Sequence, residues 1–161
     1  MKQYYIDTSV LLVYTLARSK EPECSVHVQR LFENIRGGQL KSMTSFYALH
    51  EAYLFALEHA PDFDVGNLYG KEALRMILET NITVTPLLSR IERTINARLF
   101  RKLSDASDLP HAISAKIWGC DGLIAYDEHF LAIGDVLDIK TPEEIVQEIV
   151  TQEKLPKEIT S

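Results

Sequence analysis

The run Gln3-Tyr4-Tyr5-Ile6-Asp7-Thr8-Ser9-Val10-Leu11 decides how this chain is read. A strand-like segment, Gln3–Ile6, ends in a carboxylate, and a helical pattern starts directly behind it. A carboxylate in that position sits at the C-terminal edge of a strand, where open α/β sheets bind ligands. The same arrangement returns at Gly122-Leu-Ile-Ala-Tyr126-Asp127. Between the two, short apolar runs alternate with helical patterns, the signature of a parallel α/β sheet.

The remaining elements follow from local signals. A helix is expected over Thr8–Leu16. A second opens at Pro22 with Val26, Val28, Leu31, Phe32 and Ile35 inward, and ends at Gly37-Gly38. A brief strand near Lys41–Met43 leads to Thr44-Ser45, a plausible N-cap for a helix over Phe46–His59. Residues Pro61–Gly66 read as a loop before a helix from about Asn67 to Glu79, and Ile82–Thr85 reads as a strand. Ser89-x-x-Glu92 and Thr141-Pro-Glu-Glu144 are capping boxes that start two further helices, the second reaching about Val150. Ser107-Asp108-Leu-Pro110 opens another, ending at Gly119. Gly122–Tyr126 and Val136–Ile139 are the last two strands, with a helical turn at Glu128–Ala132.

The composition sets bounds. The 161 residues, 46% hydrophobic and 25% charged, suit one domain with a sizeable core. No apolar stretch approaches the ~20 residues of a membrane span, and an acid at position 7 interrupts any secretory leader, so a cytoplasmic protein is expected. Cys24 and Cys120 match no zinc or disulfide spacing and read as inert thiols. The net charge of −6 excludes broad coating of nucleic acid. It does not exclude a nucleic-acid enzyme, since a bound cation reverses the local field. Charge is uneven: from Arg90 to Lys102 five basic residues (Arg90, Arg93, Arg98, Arg101, Lys102) face one acid, Glu92.

Asp7, Glu51, Asp108 and Asp127 are the residues with chemistry to offer. Asp7 and Asp127 both end strands and meet if the sheet is doubly wound. Asp108 is an expected N-cap whose backbone N–H groups would keep it ionised. Glu51 lies within a helix, on one face with Tyr47 and Leu54. Converging carboxylates repel one another unless a hard cation joins them, and an all-oxygen set suits Mg²⁺ or Mn²⁺. On spacing alone each acid serves equally well as a turn former or cap. Asp105 reads as a turn residue or a supporting acid, Asp121 as a turn former, and Ser9 as a cap or a ligand-orienting hydroxyl. His111 reads as a packing or surface histidine ahead of a phosphate contact, and the arginines as a phosphate-binding surface or a solvated face.

With these residues in view, the chain resembles the PIN-domain family, which includes VapC-like toxin ribonucleases and related metal-dependent nucleases. The resemblance is carried by Ile6-Asp7-Thr8-Ser9-Val10-Leu11 and Leu49-His50-Glu51-Ala52. It continues in Ser107-Asp108-Leu-Pro-His111-Ala112-Ile-Ser-Ala115 and Cys120-Asp-Gly-Leu-Ile-Ala-Tyr-Asp127-Glu-His-Phe130. These motifs keep the family's order from Met1 to about Glu148. Ala125 departs from the pattern, standing where the family commonly has Thr or Ser. The resemblance implies a single three-layer α/β domain over residues 1–150, with a parallel sheet of about five strands flanked by helices, and a polar tail over 151–161. It implies Mg²⁺ or Mn²⁺ at Asp7, Glu51, Asp108 and Asp127, and RNA cleavage by a metal-activated water. A homodimer and a small antitoxin are the implied partners. Two alternatives stand beside it: phosphoryl transfer through an aspartyl-phosphate on Asp7, with Lys140 as the assisting lysine, and a PIN-like scaffold that binds RNA or protein without cutting.

Overall fold

A computed structural model describes residues 1–154. The order of elements is β1 (Gln3–Ile6), α1 (Thr8–Thr15), α2 (Pro22–Arg36), β2 (Lys41–Ser45), α3 (Phe46–His59), α4 (Phe63–Leu78) and β3 (Thr83–Thr85). Then follow α5 (Arg90–Asn96), a 3₁₀ turn (Ala97–Phe100), α6 (Leu109–Ile117), β4 (Gly122–Ile124), a second 3₁₀ turn (Glu128–Ile133), β5 (Asp138–Lys140) and α7 (Pro142–Lys154).

The five strands form one sheet in the order β3-β2-β1-β4-β5, with every pairing parallel. The chain builds outward from β1 in one direction and then returns to lay β4 on its other side. The switch point therefore lies between β1 and β4. Side chains alternate across a strand, so each strand supplies both faces. Tyr4 and Ile6 enter a core with Leu11, Phe32, Ile77 and Ile145, from α1, α2, α4 and α7. Tyr5 enters a second core with Ile113 of α6, Phe100 and Phe130. Two cores on opposite faces of one sheet make the three-layer α/β architecture the sequence led us to expect.

Both capping boxes form: Ser89 with Glu92, and Thr141 with Glu144. Gly38 and Gly119 end α2 and α6 at φ of 74° and 70°, where only glycine is unstrained. Several local readings change. Helix α4 begins at Phe63, because Asp62 caps it by accepting from Val65 N at 2.9 Å, so most of the expected Pro61–Gly66 loop is helical. Val26 is exposed rather than inward. The Ser45 hydroxyl does not cap α3 but bonds the Tyr5 hydroxyl at 2.6 Å. Strand β4 ends at Ile124, although Ala125 N still donates to Lys140 O. Helix α7 runs to Lys154, so the first residues of the expected tail are helical; residues 155–161 lie outside the described residues. Among the described residues no helix is long and apolar enough to cross a membrane.

Candidate metal centre

The switch point brings the ends of β1 and β4 together. Asp7 N donates to Ile124 O at 3.0 Å, the last rung between them. One step further, Ser9 fastens the two loops. Its hydroxyl donates to Asp7 Oδ2 at 2.7 Å and accepts from Tyr126 N at 3.1 Å. Asp7 Oδ2 also takes the Ser9 amide at 3.0 Å, so this carboxylate caps α1 in a fixed orientation. The cap of α1 is Asp7 rather than Ser9.

Asp127 caps the second 3₁₀ turn, accepting from His129 N at 2.9 Å. The His129 ring turns back over it, with Nδ1 3.3 Å from Asp127 Oδ1 and 3.7 Å from Asp108 Oδ2. Asp105 accepts from the amide and hydroxyl of Ser107, both at 2.8 Å, as a turn residue should. It also stands close to Asp108 and His129: one ligand atom from each of the three lies within 4.8 Å of the others.

Asp108 corrects an expectation. It occupies the N-cap position of α6, but its backbone is already helical (φ −76°, ψ −23°), and no amide is capped by its side chain. A cap needs extended geometry to fold its carboxylate back onto the first turn. The residue is 8% exposed, and among the described residues its buried Oδ2 has no hydrogen-bond partner. Burial, then the charges of Asp127, Asp105 and Asp7, push its pKa up to about 6. It is therefore not held ionised by backbone donors. That three other acids act on it places four carboxylates in one electrostatic neighbourhood.

Glu51 approaches from α3 on a buried chain of hydrogen bonds. Its Oε1 faces His111 Nε2 at 3.0 Å, and its Oε2 accepts from the Thr8 hydroxyl. His111 Nδ1 meets the Tyr5 hydroxyl at 2.7 Å, which meets Ser45. Burial pushes the Glu51 carboxyl up, but the hydrogen bond and charge of His111, with Thr8, outweigh it and hold the group below its ordinary value. Burial likewise disfavours the His111 imidazolium. The bond to Glu51 and the charges of Asp7, Glu51 and Asp108 outweigh that and raise it. The two shifts point the same way, each favouring a carboxylate beside an imidazolium. In that state both ring nitrogens donate, and the Tyr5 hydroxyl is left to donate to Ser45.

His111 is therefore neither a surface nor a simple packing residue. Tyr5, Thr8 and His129 also stand around the acids, and sequence reading did not single them out. The available signals were weak: His111 lies one helical turn beyond Asp108, and His129 two residues beyond Asp127. Asp121 departs from its expected role only in detail, accepting Gln3 N at 2.7 Å and so tying the start of β1 to the turn before β4. Lys140 pairs with Glu148 at 2.9 Å. Arg90, Arg93, Arg98 and Arg101 are all exposed on α5 and the turns that follow. Among the described residues none of them forms an ion pair, whereas Lys102 pairs with Asp135 at 2.8 Å.

By chemistry, Asp7, Asp108 and Asp127 are hard oxygen donors that suit a divalent cation, and Asp108 Oδ2, unpartnered among the described residues, is a buried acceptor a cation would satisfy. Among the described residues, the ligand atoms found within 4.8 Å of one another are those of Asp105, Asp108 and His129.

Comparison of the sequence finds neither a matching family model nor a matching curated protein. Comparison of the fold finds several solved structures. VapC20 of Mycobacterium tuberculosis, described as a Sarcin-Ricin loop cleaving toxin, matches at 19% identity and a TM-score of 0.59, over 81% of this chain and 95% of that one. VapBC2 of Rickettsia felis, solved with a DNA fragment from its promoter, matches at 16% identity and a TM-score of 0.59, over 86% and 98%. PAE2754 of Pyrobaculum aerophilum matches at 15% identity and a TM-score of 0.57, over 94% and 91%. The five parallel strands in switch-point order and these three neighbours lead to one conclusion: the chain has the three-layer α/β fold of these solved structures.

Proposed function

We propose that this protein is a metal-dependent endoribonuclease, the toxin of a toxin–antitoxin pair. One observation carries the reading: the Asp108 carboxylate is buried and, among the described residues, unpartnered at Oδ2, so that burial first and then the charges of Asp127, Asp105 and Asp7 raise its pKa. A fold does not keep a buried, unsatisfied carboxylate for its own stability, and a cation would satisfy it.

Asp7, Asp108 and Asp127 would hold Mg²⁺ or Mn²⁺, with Glu51 beside them. When bound, the ion lowers the pKa of a water and neutralises charge building on the phosphodiester. The rest is the work of this chain's own groups. Ser9 fixes the Asp7 rotamer through its amide and hydroxyl. His111 and Thr8 hold both Glu51 oxygens, so that carboxylate stays ionised and oriented. Arg90, Arg93, Arg98 and Arg101 offer unpaired positive charge to an RNA backbone. For the partners, an apolar cavity of about 420 Å³ lined by Leu12, Val13, Cys24 and Phe55 opens beside Ser9 and Tyr126. It suits an apolar segment of a small antitoxin laid against the acids. Phe63, Leu68 and Tyr69, more than half exposed on α4, suit a second protein surface such as that of a homodimer.

The test is RNA cleavage by Asp7→Asn and Asp127→Asn proteins purified free of host nuclease. Both keep a capping oxygen, so circular dichroism should be unchanged. Cleavage should fall by at least about 100-fold, the scale of losing a catalytic electrostatic group. Chelation should silence the unsubstituted protein. Undiminished cleavage by either variant would end the proposal.

A further inference from the structure

A cavity of about 350 Å³ opens between the second 3₁₀ turn, the end of β5 and the first turn of α7. Of the four acids discussed above, only Asp127 reaches its wall. Its volume lies within the range of small-ligand pockets. Carbon dominates one part of the lining: Ala125, the half-buried Ile139 and Leu131, which is 64% exposed. The hydroxyl residue common at position 125 in the PIN family would put a polar group among these carbons. Charge decides what the cavity can take. Asp127, Glu128 and Glu144 line it against one cation, Lys140, and Glu148 engages that lysine at 2.9 Å. A phosphate would therefore meet repulsion with no free cation to offset it. Glu144 is engaged as well, accepting from Thr141 N at 2.8 Å. Glu128 is exposed and, among the described residues, forms no hydrogen bond or ion pair, so its carboxylate is free to accept from a ligand. The matching occupant is an uncharged ring with an apolar face and N–H donors along one edge, which describes a nucleobase.

We propose that this cavity is a nucleobase subsite that selects guanine beside the bond to be cut, with Leu131 packing on the ring and Glu128 reading its edge. Guanine carries its N1–H and 2-amino group side by side, and these two donors match the two oxygens of one carboxylate. Adenine and cytosine set a single amino donor beside an acceptor nitrogen. Uracil sets its one N–H between two carbonyls, which a carboxylate repels. Glu128 follows Asp127 directly in the chain, so a base held there fixes which phosphate meets the acids. The subsite rests on the nuclease reading for the claim that the base belongs to RNA. Recognition of the base itself needs no metal.

The full chain, labelled in its Leu and Ile methyl groups, is titrated in chelator with guanosine and uridine 5′-monophosphates and followed by nuclear magnetic resonance. The two probes share sugar and phosphate, so a difference between them belongs to the base. The expected result is a shift of the Leu131 and Ile139 methyls with the guanine probe at millimolar concentration. Its affinity should exceed that of the uracil probe by at least about fivefold, the lower end for one bidentate base contact. Glu128→Gln should erase that preference, because its amide turns a donor towards a donor. Leu131→Ala, followed at Ile139, should weaken the guanine probe by at least about fivefold, the scale of losing a surface on which a base packs. Both residues are exposed, so both variants should fold. Silent methyls, equal affinities or a preference that survives Glu128→Gln overturn the subsite. A tighter response to N-acetyl-arginine amide also overturns it, and assigns the cavity to a basic side chain of a partner protein. RNA cleavage with Mn²⁺ in the same preparations separates the two ideas. Cleavage with no guanine preference in the titration leaves the nuclease reading standing and the subsite refuted. A preference lost in Glu128→Gln, with no cleavage, keeps the base site and refutes the nuclease.

Discussion

Asp108→Asn should make the metal-free protein more stable, and only above a defined pH. The carboxyl goes from an ordinary value of 3.8 to about 6 on folding. The folded state therefore binds the proton more tightly than the unfolded chain, and stability falls as pH rises across that interval. Below pH 3.8 the group is neutral in both states and costs nothing. Above pH 6 it is charged in both, and the folded state carries the whole penalty. At 1.36 kcal/mol per pKa unit that penalty is about 3 kcal/mol, an upper value because water reaches the rim of the site. Asparagine keeps the shape and discards the charge. Urea unfolding in chelator at pH 7.5 should favour Asn by up to about 3 kcal/mol, or about 6–12 °C in Tm for a chain of this length. Near pH 4 the two proteins should converge. Added Mn²⁺ should reverse the order at pH 7.5 by stabilising only the unsubstituted protein. An Asn variant equally stable, or less stable, at both pH values would refute the claim that repulsion is stored at this position.

Three further outcomes follow from the same geometry. His111→Ala should cost about 2 kcal/mol by orphaning Glu51 and Tyr5. Since His111 is raised on folding and Glu51 lowered, the loss should be largest near pH 6 and shrink above it as the imidazolium deprotonates; a loss unchanged from pH 6 to 9 would sink the pairing. Gly122→Ala places a Cβ 2.2 Å from Asp138 O and 2.7 Å from the Tyr4 ring, so it should destabilise by about 3 kcal/mol or more in urea, whereas an unshifted midpoint would mean that β4 and β5 can part freely. Neutralising Arg90, Arg93, Arg98 and Arg101 together should lower the salt slope of RNA binding by up to about 3, at ~0.7 per single-strand phosphate contact; an unchanged slope would mean that the RNA lies elsewhere.

What could be read from sequence was local. Both capping boxes, the glycine stops at Gly38 and Gly119, and the strands ending before Asp7 and Asp127 depend on residues within a few positions of one another. The misreadings are the places where a distant neighbour outvoted a local signal. Gly66 looks like the end of a loop, yet it lies inside α4, packed so closely that a Cβ there would meet Leu57 at 2.9 Å. Ser45 looks like a cap, but a buried tyrosine 40 residues away takes its hydroxyl.

The sequence by itself determined the layered architecture and which acids stand at strand and helix ends, because hydrophobic period and strand-end placement are properties of short segments. Only the tertiary structure decided what those acids are like. Ionisation depends on what surrounds a group in space, so Asp108 is raised by burial and three other carboxylates, while Glu51 is lowered by an imidazole 60 residues away. Charge state is a long-range property of the folded chain, and no spacing along the backbone encodes it.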